Sequence, residues 1–115
     1  MKVKHIKSKN VEVKDFNVIE VQNLFAEENY DKLSVAKVKI KGTQKFGKDT
    51  ESDSAFYVLD GEGTFYVGDE KFAVEKGDLV FIPKNTLYRD EGKLTLLVIS
   101  TPRFDRDKRI REKCV

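Results

Sequence analysis

The sequence predicts an all-β, antiparallel domain, either a sandwich or a barrel, on three observations. Short runs rich in Val, Ile, Phe and Tyr recur along the chain: AFYVL from Ala55, TFYV from Thr64, KFAV from Lys71, DLVFIP from Asp78 and LTLLVIS from Leu94. Turn-forming residues separate them: Gly42, Gly47, Asp60-Gly61, Glu62-Gly63, Gly68-Asp69, Lys76-Gly77, Pro83-Lys84-Asn85 and Glu91-Gly92. Strands broken by turns every 8 to 12 residues or so build antiparallel sandwiches and barrels. The third observation is the alternation in LSVAKVKIK. There Ala36, Val38 and Ile40 share one face and Lys37, Lys39 and Lys41 the other, as a half-buried strand requires.

Taken in order, residues 1–32 read as N-terminal strands and a loop. VKHI, VEV and VIEV favour extended backbone, and QNLFAEEN favours a short helical turn or loop. Residues 33–102 carry the strand runs of a barrel core. Within it, Gly61 and Gly77 stand where strands are expected to reverse, because glycine reaches the positive φ that tight turns use. Pro83 and Pro102 each follow an apolar run, at a strand end where the missing N–H removes nothing from the ladder. Residues 103–115 form a tail in which Asp105 lies four before Arg109, a spacing that suits a surface helix. No repeat and no Ser/Pro-rich linker divides the chain, so one domain is expected over residues 1–115.

Composition narrows the chemistry. A chain of 115 residues buries roughly two thirds of its unfolded surface, enough for an apolar core without staples. One cysteine excludes an internal disulfide, and one cysteine with one histidine excludes Cys/His zinc sites and any site held by several imidazoles. No run approaches the roughly 20 apolar residues that span a bilayer, so no membrane partner is expected. The N-terminal MKVKHIKSKNVEVK is basic without the apolar stretch of a signal peptide, and the expected location is the cytoplasm. The 22 basic and 20 acidic residues nearly cancel, and Asp105, Asp107 and Glu112 interrupt the basic tail. That interleaving argues against a nucleic-acid arm.

From about residue 33 to 104 the sequence resembles the cupin superfamily, the small jelly-roll β-barrels. Its first motif runs Gly, five residues, His-x-His, three or four residues, Glu, six residues, Gly. This chain has Gly42, five residues, Lys48-Asp49-Thr50, three residues, Ser54, six residues, Gly61. The second motif, Gly, five residues, Pro-x-Gly, two residues, His, is matched by Gly77, five residues, Pro83-Lys84-Asn85, two residues, Tyr88. FYVLDGEGTFYVGDEKF and GDLVFIPKNT are also similar to family sequence. The resemblance implies an antiparallel jelly-roll barrel and a homodimer, for which VKHI and VEV offer strands that would pair across an interface.

In metal-binding cupins the two His, the Glu and the second-motif His hold one divalent ion inside the barrel. Lys48, Thr50, Ser54 and Tyr88 stand in those places here. A cation, two hydroxyls and a phenol make a poor ligand set, so neither metal nor other cofactor is expected. Asp49, Glu51 and Asp53 alternate and offer oxygens to Ca²⁺ or Mg²⁺, but a solvated loop is the more economical reading.

With Phe56 and Val58 following Ser54 inward, the expected pocket is Lys48, Thr50, Ser54, Phe56 and Tyr88. Polar groups above an apolar floor suit a small polar or anionic ligand, carbohydrate-like or a carboxylate metabolite. Two other readings stand beside it. In one the barrel is filled and serves a structural or protein-interaction role, with Tyr88 capping the core. In the other the protein is a metal-independent sugar isomerase or epimerase in which Lys48 lowers the phenol pKa of Tyr88 so that it moves a proton. Outside that alternative no catalytic residue is assigned. His5 is expected at the solvated N-terminus, Cys114 is read as an incidental surface thiol, and Gly61-x-Gly63 lacks the following helix of a phosphate loop.

Overall fold

A computed structural model describes residues 2–111. Its strands are β1 (Lys14–Asp15), β2 (Ile19–Phe25), β3 (Ser34–Ile40), β4 (Gly47–Asp49), β5 (Asp53–Val67), β6 (Glu70–Glu75), β7 (Leu79–Ile82), β8 (Tyr88–Thr101) and β9 (Arg109–Arg111). All pairings are antiparallel.

The long strands β5 and β8 pair with each other from Asp53↔Thr101 to Val67↔Tyr88 and form the spine. Each then takes different neighbours at its two ends. One half of the barrel runs β1-β2-β3, the C-terminal part of β8, the N-terminal part of β5, then β7. The other runs β9-β4, the start of β8, the C-terminal part of β5, then β6. This curled antiparallel sheet is the jelly-roll barrel expected from the sequence.

Side chains alternate along each strand, so the register decides what fills the interior. Ile40, Phe56, Val58, Phe65, Val74, Val80, Ile82, Leu94 and Leu96 form the core, with Val58 and Phe65 completely buried. Phe56 and Val58 thus follow Ser54 inward as read from alternation.

Several of the glycines expected at turns lie inside strands, Gly47 in β4 among them. Gly61 does not reverse the chain but lies inside β5, opposite Leu94. A bulge between Val58 and Asp60 shifts the register by one residue, and Gly61 follows it at φ 86°. The strand bends from one half of the barrel to the other instead of ending. Glu62-Gly63 and Glu91-Gly92 are likewise strand interior, facing each other as Gly63↔Gly92. The reversals fall at Gly68-Asp69, at Lys76-Gly77, and around Asn85, whose φ of 62° is the left-handed conformation that asparagine tolerates.

Three further expectations change. QNLF continues β2 rather than turning, and the turn comes at Glu28-Asn29. VKHI and VEV form no strand; the N-terminal segment holds a single 3₁₀ turn at Ser8–Asn10 before β1. The tail is not helical over its described part. Asp105 caps the start of a single 3₁₀ turn, Arg106–Lys108, by accepting the Asp107 N–H, and the turn goes no further because the Lys108 carbonyl is taken by Thr50 and the next residues pair with β4. Beyond it β9 completes the edge of β4. Cys114 and the rest of the tail lie outside the described residues.

Candidate functional site

The polar end of the barrel forms where β9, β4 and the start of β8 meet. Gly47 is opposite both Tyr88 and Arg111, and Asp49 is opposite Arg109. Cross-strand partners share a face, so Gly47, Asp49, Tyr88, Arg109 and Arg111 all lie on the inner side. Lys48 and its partner Ile110 lie on the other face.

Arg109 donates from Nη1 to the Tyr88 hydroxyl at 3.1 Å, with its guanidinium carbon 5.0 Å from the centre of that ring. Gly47 makes room for it: a Cβ there would stand 2.9 Å from Arg109 Nη2. Beneath lies a column of rings. Tyr88 stacks on Phe65 at 6.5 Å and Phe65 on Phe72 at 6.2 Å, while Phe56 tilts against Tyr88 at 5.4 Å. A guanidinium over an aromatic face gains from the ring quadrupole, the more so when partly desolvated.

Two positions beyond Tyr88 on the same face of β8, Asp90 is buried, only 3% exposed, and receives a hydrogen bond from Gln44 Nε2. Burial pushes its carboxyl up to about 6, against the opposing pull of the Gln44 bond and the positive charges of Arg109 and Arg111. Burial also raises the Tyr88 phenol above its ordinary value and outweighs Arg109. Arg111 is pushed down from the usual guanidinium value by burial and by the neighbouring Arg109 charge. Among the described residues no carboxylate oxygen lies within 4.0 Å of Arg109 or Arg111.

The residues picked from the motif register separate. Tyr88 and Phe56 sit at this end, their rings 5.4 Å apart. Ser54 faces inward but shares a hydrogen bond with Ser100 at 3.1 Å, in the other half of the barrel. Thr50 donates from Oγ1 to the Lys108 carbonyl at 2.7 Å and so anchors the segment leading into β9. Lys48 faces away. The physical reason is one residue of loop: with four residues before Ser54 instead of three, the positions of the histidine pair fall on Gly47 and Asp49. Because the side-chain period is two, that slip exchanges the faces.

This donor set does not fit a divalent ion. Gly47 has no side chain, the Tyr88 phenol is held protonated, Ser54 is engaged with Ser100, and the Arg109 guanidinium stands over Gly47. Asp49 offers one free oxygen, its buried Oδ2, while Oδ1 accepts the Glu51 and Ser52 N–H groups. Among the described residues no three His, Cys, Asp or Glu side chains converge to hold a metal. Nor do the three alternating carboxylates converge, because Asp53 accepts the Lys84 N–H and Glu51 faces Lys108 at 3.8 Å.

Sequence reasoning missed Gln44, Asp90, Arg109 and Arg111. The alternation from Tyr88 pointed to Asp90. Nothing local pointed to the arginines, whose place depends on pairing with a strand some sixty residues earlier.

A cupin domain model matches residues 38–98. An uncharacterised protein of Aquifex aeolicus (strain VF5) is 39% identical over 64 residues, covering 53% of this chain and 53% of that protein. An uncharacterised protein of Methanocaldococcus jannaschii is 30% identical over 79 residues, covering 65% of this chain and 63% of its own. The chain thus spans between half and two thirds of the length of these curated relatives. Among solved structures, Streptomyces PAC13 with uridine superposes with a TM-score of 0.87 at 18% identity, covering 99% of this chain and 94% of that one. Pac13 is named a unique nucleoside dehydratase. KdgF from Halomonas sp. gives 0.76 at 18% identity, covering 89% and 97%. At such identities the likeness is one of fold.

Proposed function

The chain belongs to the cupin domain family, and on that footing we propose that it is a metal-free binding barrel that takes a small anionic molecule, a carboxylate or a phosphate, at its Arg109 end. One observation carries the reading. Arg109 is already oriented by the Tyr88 hydroxyl and by the space over Gly47, yet neither it nor Arg111 meets a carboxylate among the described residues. Asp90 is the nearby acid, and one carboxylate, itself protonated below about pH 6 by burial, offsets at most one of the two guanidinium charges. A bound anion would complete the charge balance, and two guanidinium forks match carboxylate and phosphate oxygens. PAC13, a barrel of the same shape, is known with uridine, which supports a small polar ligand.

Thermal melting in a chloride buffer, with sodium phosphate or citrate titrated in, tests this reading. The melting temperature should rise to a plateau, and Arg109→Gln should weaken the midpoint roughly 10- to 100-fold, the size of one charged hydrogen bond. Lys48→Gln should leave it unchanged. An equal response from Arg109→Gln and the parent protein would overturn the assignment.

A catalytic reading is favoured by Asp90, whose carboxyl near 6 is suited to exchanging protons close to neutral pH. The proton-carrying role of the isomerase or epimerase alternative then passes from Tyr88 to Asp90. The raised phenol makes Tyr88 a hydrogen-bond donor, not a base. Turnover found on a hydroxylated substrate should show a limb near pH 6 that Asp90→Asn removes. In either reading the working form is a homodimer in the cytoplasm.

A further inference from the structure

The outer face of the half-barrel away from Arg109 carries an apolar row that crosses five strands without a break. In register the row reads Phe81, Ala55, Ile99, Val35, Phe25. Beside it, Leu79, Tyr57 and Leu97 form a second row on three of those strands. Exposure is high for outward apolar groups: 61% for Phe81, 62% for Leu79, 41% for Tyr57 and 37% for Ile99. On the β3 side the row ends in a groove of about 460 Å³ where Lys2, Lys4 and Ile6 of the N-terminal segment stand beside Phe25 and Val35, so the open part of the face is the part on β7, β5 and β8. The second row turns polar where it reaches Lys37 and Gln22, so the apolar surface has a definite border. Among the described residues, β7 pairs on one side only. Its sequence LVFI has none of the charges or prolines that commonly protect an edge.

We propose that this face is where two copies of the chain join, Phe81 and Leu79 of each packing on the other's sheet. The surface rests on the homodimer reading. Its size fits a second copy. The exposed parts of these four large side chains amount to roughly 300–500 Å², taking large side chains at about 150–250 Å² each. A standard interface buries about 800 Å² per partner, a little over half of it apolar, which is roughly 450 Å². A two-fold dimer uses the same patch twice and needs no second complementary surface elsewhere on the molecule. The alternating faces of β7 supply both sides of the arrangement: Val80 and Ile82 enter the barrel core while Leu79 and Phe81 enter the interface.

Light scattering at micromolar concentration on the full chain, Phe81→Glu, Leu79→Glu and Val3→Glu tests the surface, with circular dichroism confirming that each variant is folded. The parent protein should show about twice the 13.2 kDa of one chain. Phe81→Glu and Leu79→Glu should each weaken association at least 100-fold and give the single-chain mass, and Val3→Glu should remain dimeric. If the parent protein is a monomer, the homodimer reading fails and the surface with it. If the parent is dimeric and both strand variants stay dimeric, or if only Val3→Glu dissociates, the homodimer stands and this surface is wrong.

Discussion

Replacing Asp90 by Asn is expected to make the protein more stable at neutral pH. An unfolded aspartate releases its proton near 3.8, whereas the buried Asp90 releases it near 6. Between those values the folded state holds a proton that the unfolded state has lost, so stability falls as pH rises through that window. The favourable contribution of the protonated side chain is complete below about pH 4 and gone above about pH 6. At pH 7.5 the folded protein therefore carries a buried charge costing about 3 kcal/mol as an upper figure, from 1.36 kcal/mol per unit of pKa. Asn keeps an oxygen for the Gln44 amide and carries no charge. Urea unfolding should show the variant more stable at pH 7.5 by up to about that amount, with the gain shrinking toward zero at pH 4. A variant less stable at pH 7.5 would mean that Arg109 and Arg111 outweigh burial. A residue that destabilises its own fold while sitting beside two guanidiniums that meet no carboxylate among the described residues is better explained by use than by packing.

The second large effect is expected at Gly61. A methyl group there would stand 2.0 Å from the Lys93 carbonyl oxygen, a backbone atom across the ladder, and the residue holds φ at 86°. Strain from the positive φ and the enforced shift of β8 act together, so Gly61→Ala should lose about 3 kcal/mol or more, or fail to fold. Gly68 provides the control. It also has positive φ, 57°, but nothing lies within 4 Å of an added Cβ. Gly68→Ala should lose about 1–2 kcal/mol, the left-handed backbone penalty alone. Chemical denaturation of the pair separates crowding from backbone strain, and equal losses would show that the bulge tolerates a side chain.

Much of the fold was legible because it is written in local alternation. Phe56 and Val58 turn inward, Ala36, Val38 and Ile40 share a face, and Asn85 marks a left-handed turn, all from residues a few positions apart. Gly61 misled because glycine reports an unusual backbone angle and not the direction of the chain afterward. The same angle serves a reversal at Gly77 and a bend at Gly61. At the site the limit was parity. The inward face of Tyr88 was readable from its distance to Pro83, which no variable loop interrupts. Lys48 and Thr50 were placed through a loop of uncertain length, and a slip of one residue put them on the wrong faces. Arg109 and Arg111 were beyond reach, because their position depends on where the tail lands on β4, and no short-range pattern encodes that.

The spine of β5 and β8 has a consequence for how the molecule holds together. Neither half of the barrel owns its central strands: both halves hang from the same continuous ladder, from Asp53↔Thr101 to Val67↔Tyr88. Each half uses its own stretch of that ladder, but the stretches are joined by the unbroken backbone of both β5 and β8, so opening one half frays the central strands of the other. Tyr88 lies at one limit of that ladder and Ile99 near the other, some 35 Å apart along β8 at about 3.3 Å per residue. The charged end and the apolar face are therefore mounted on a single cooperative beam.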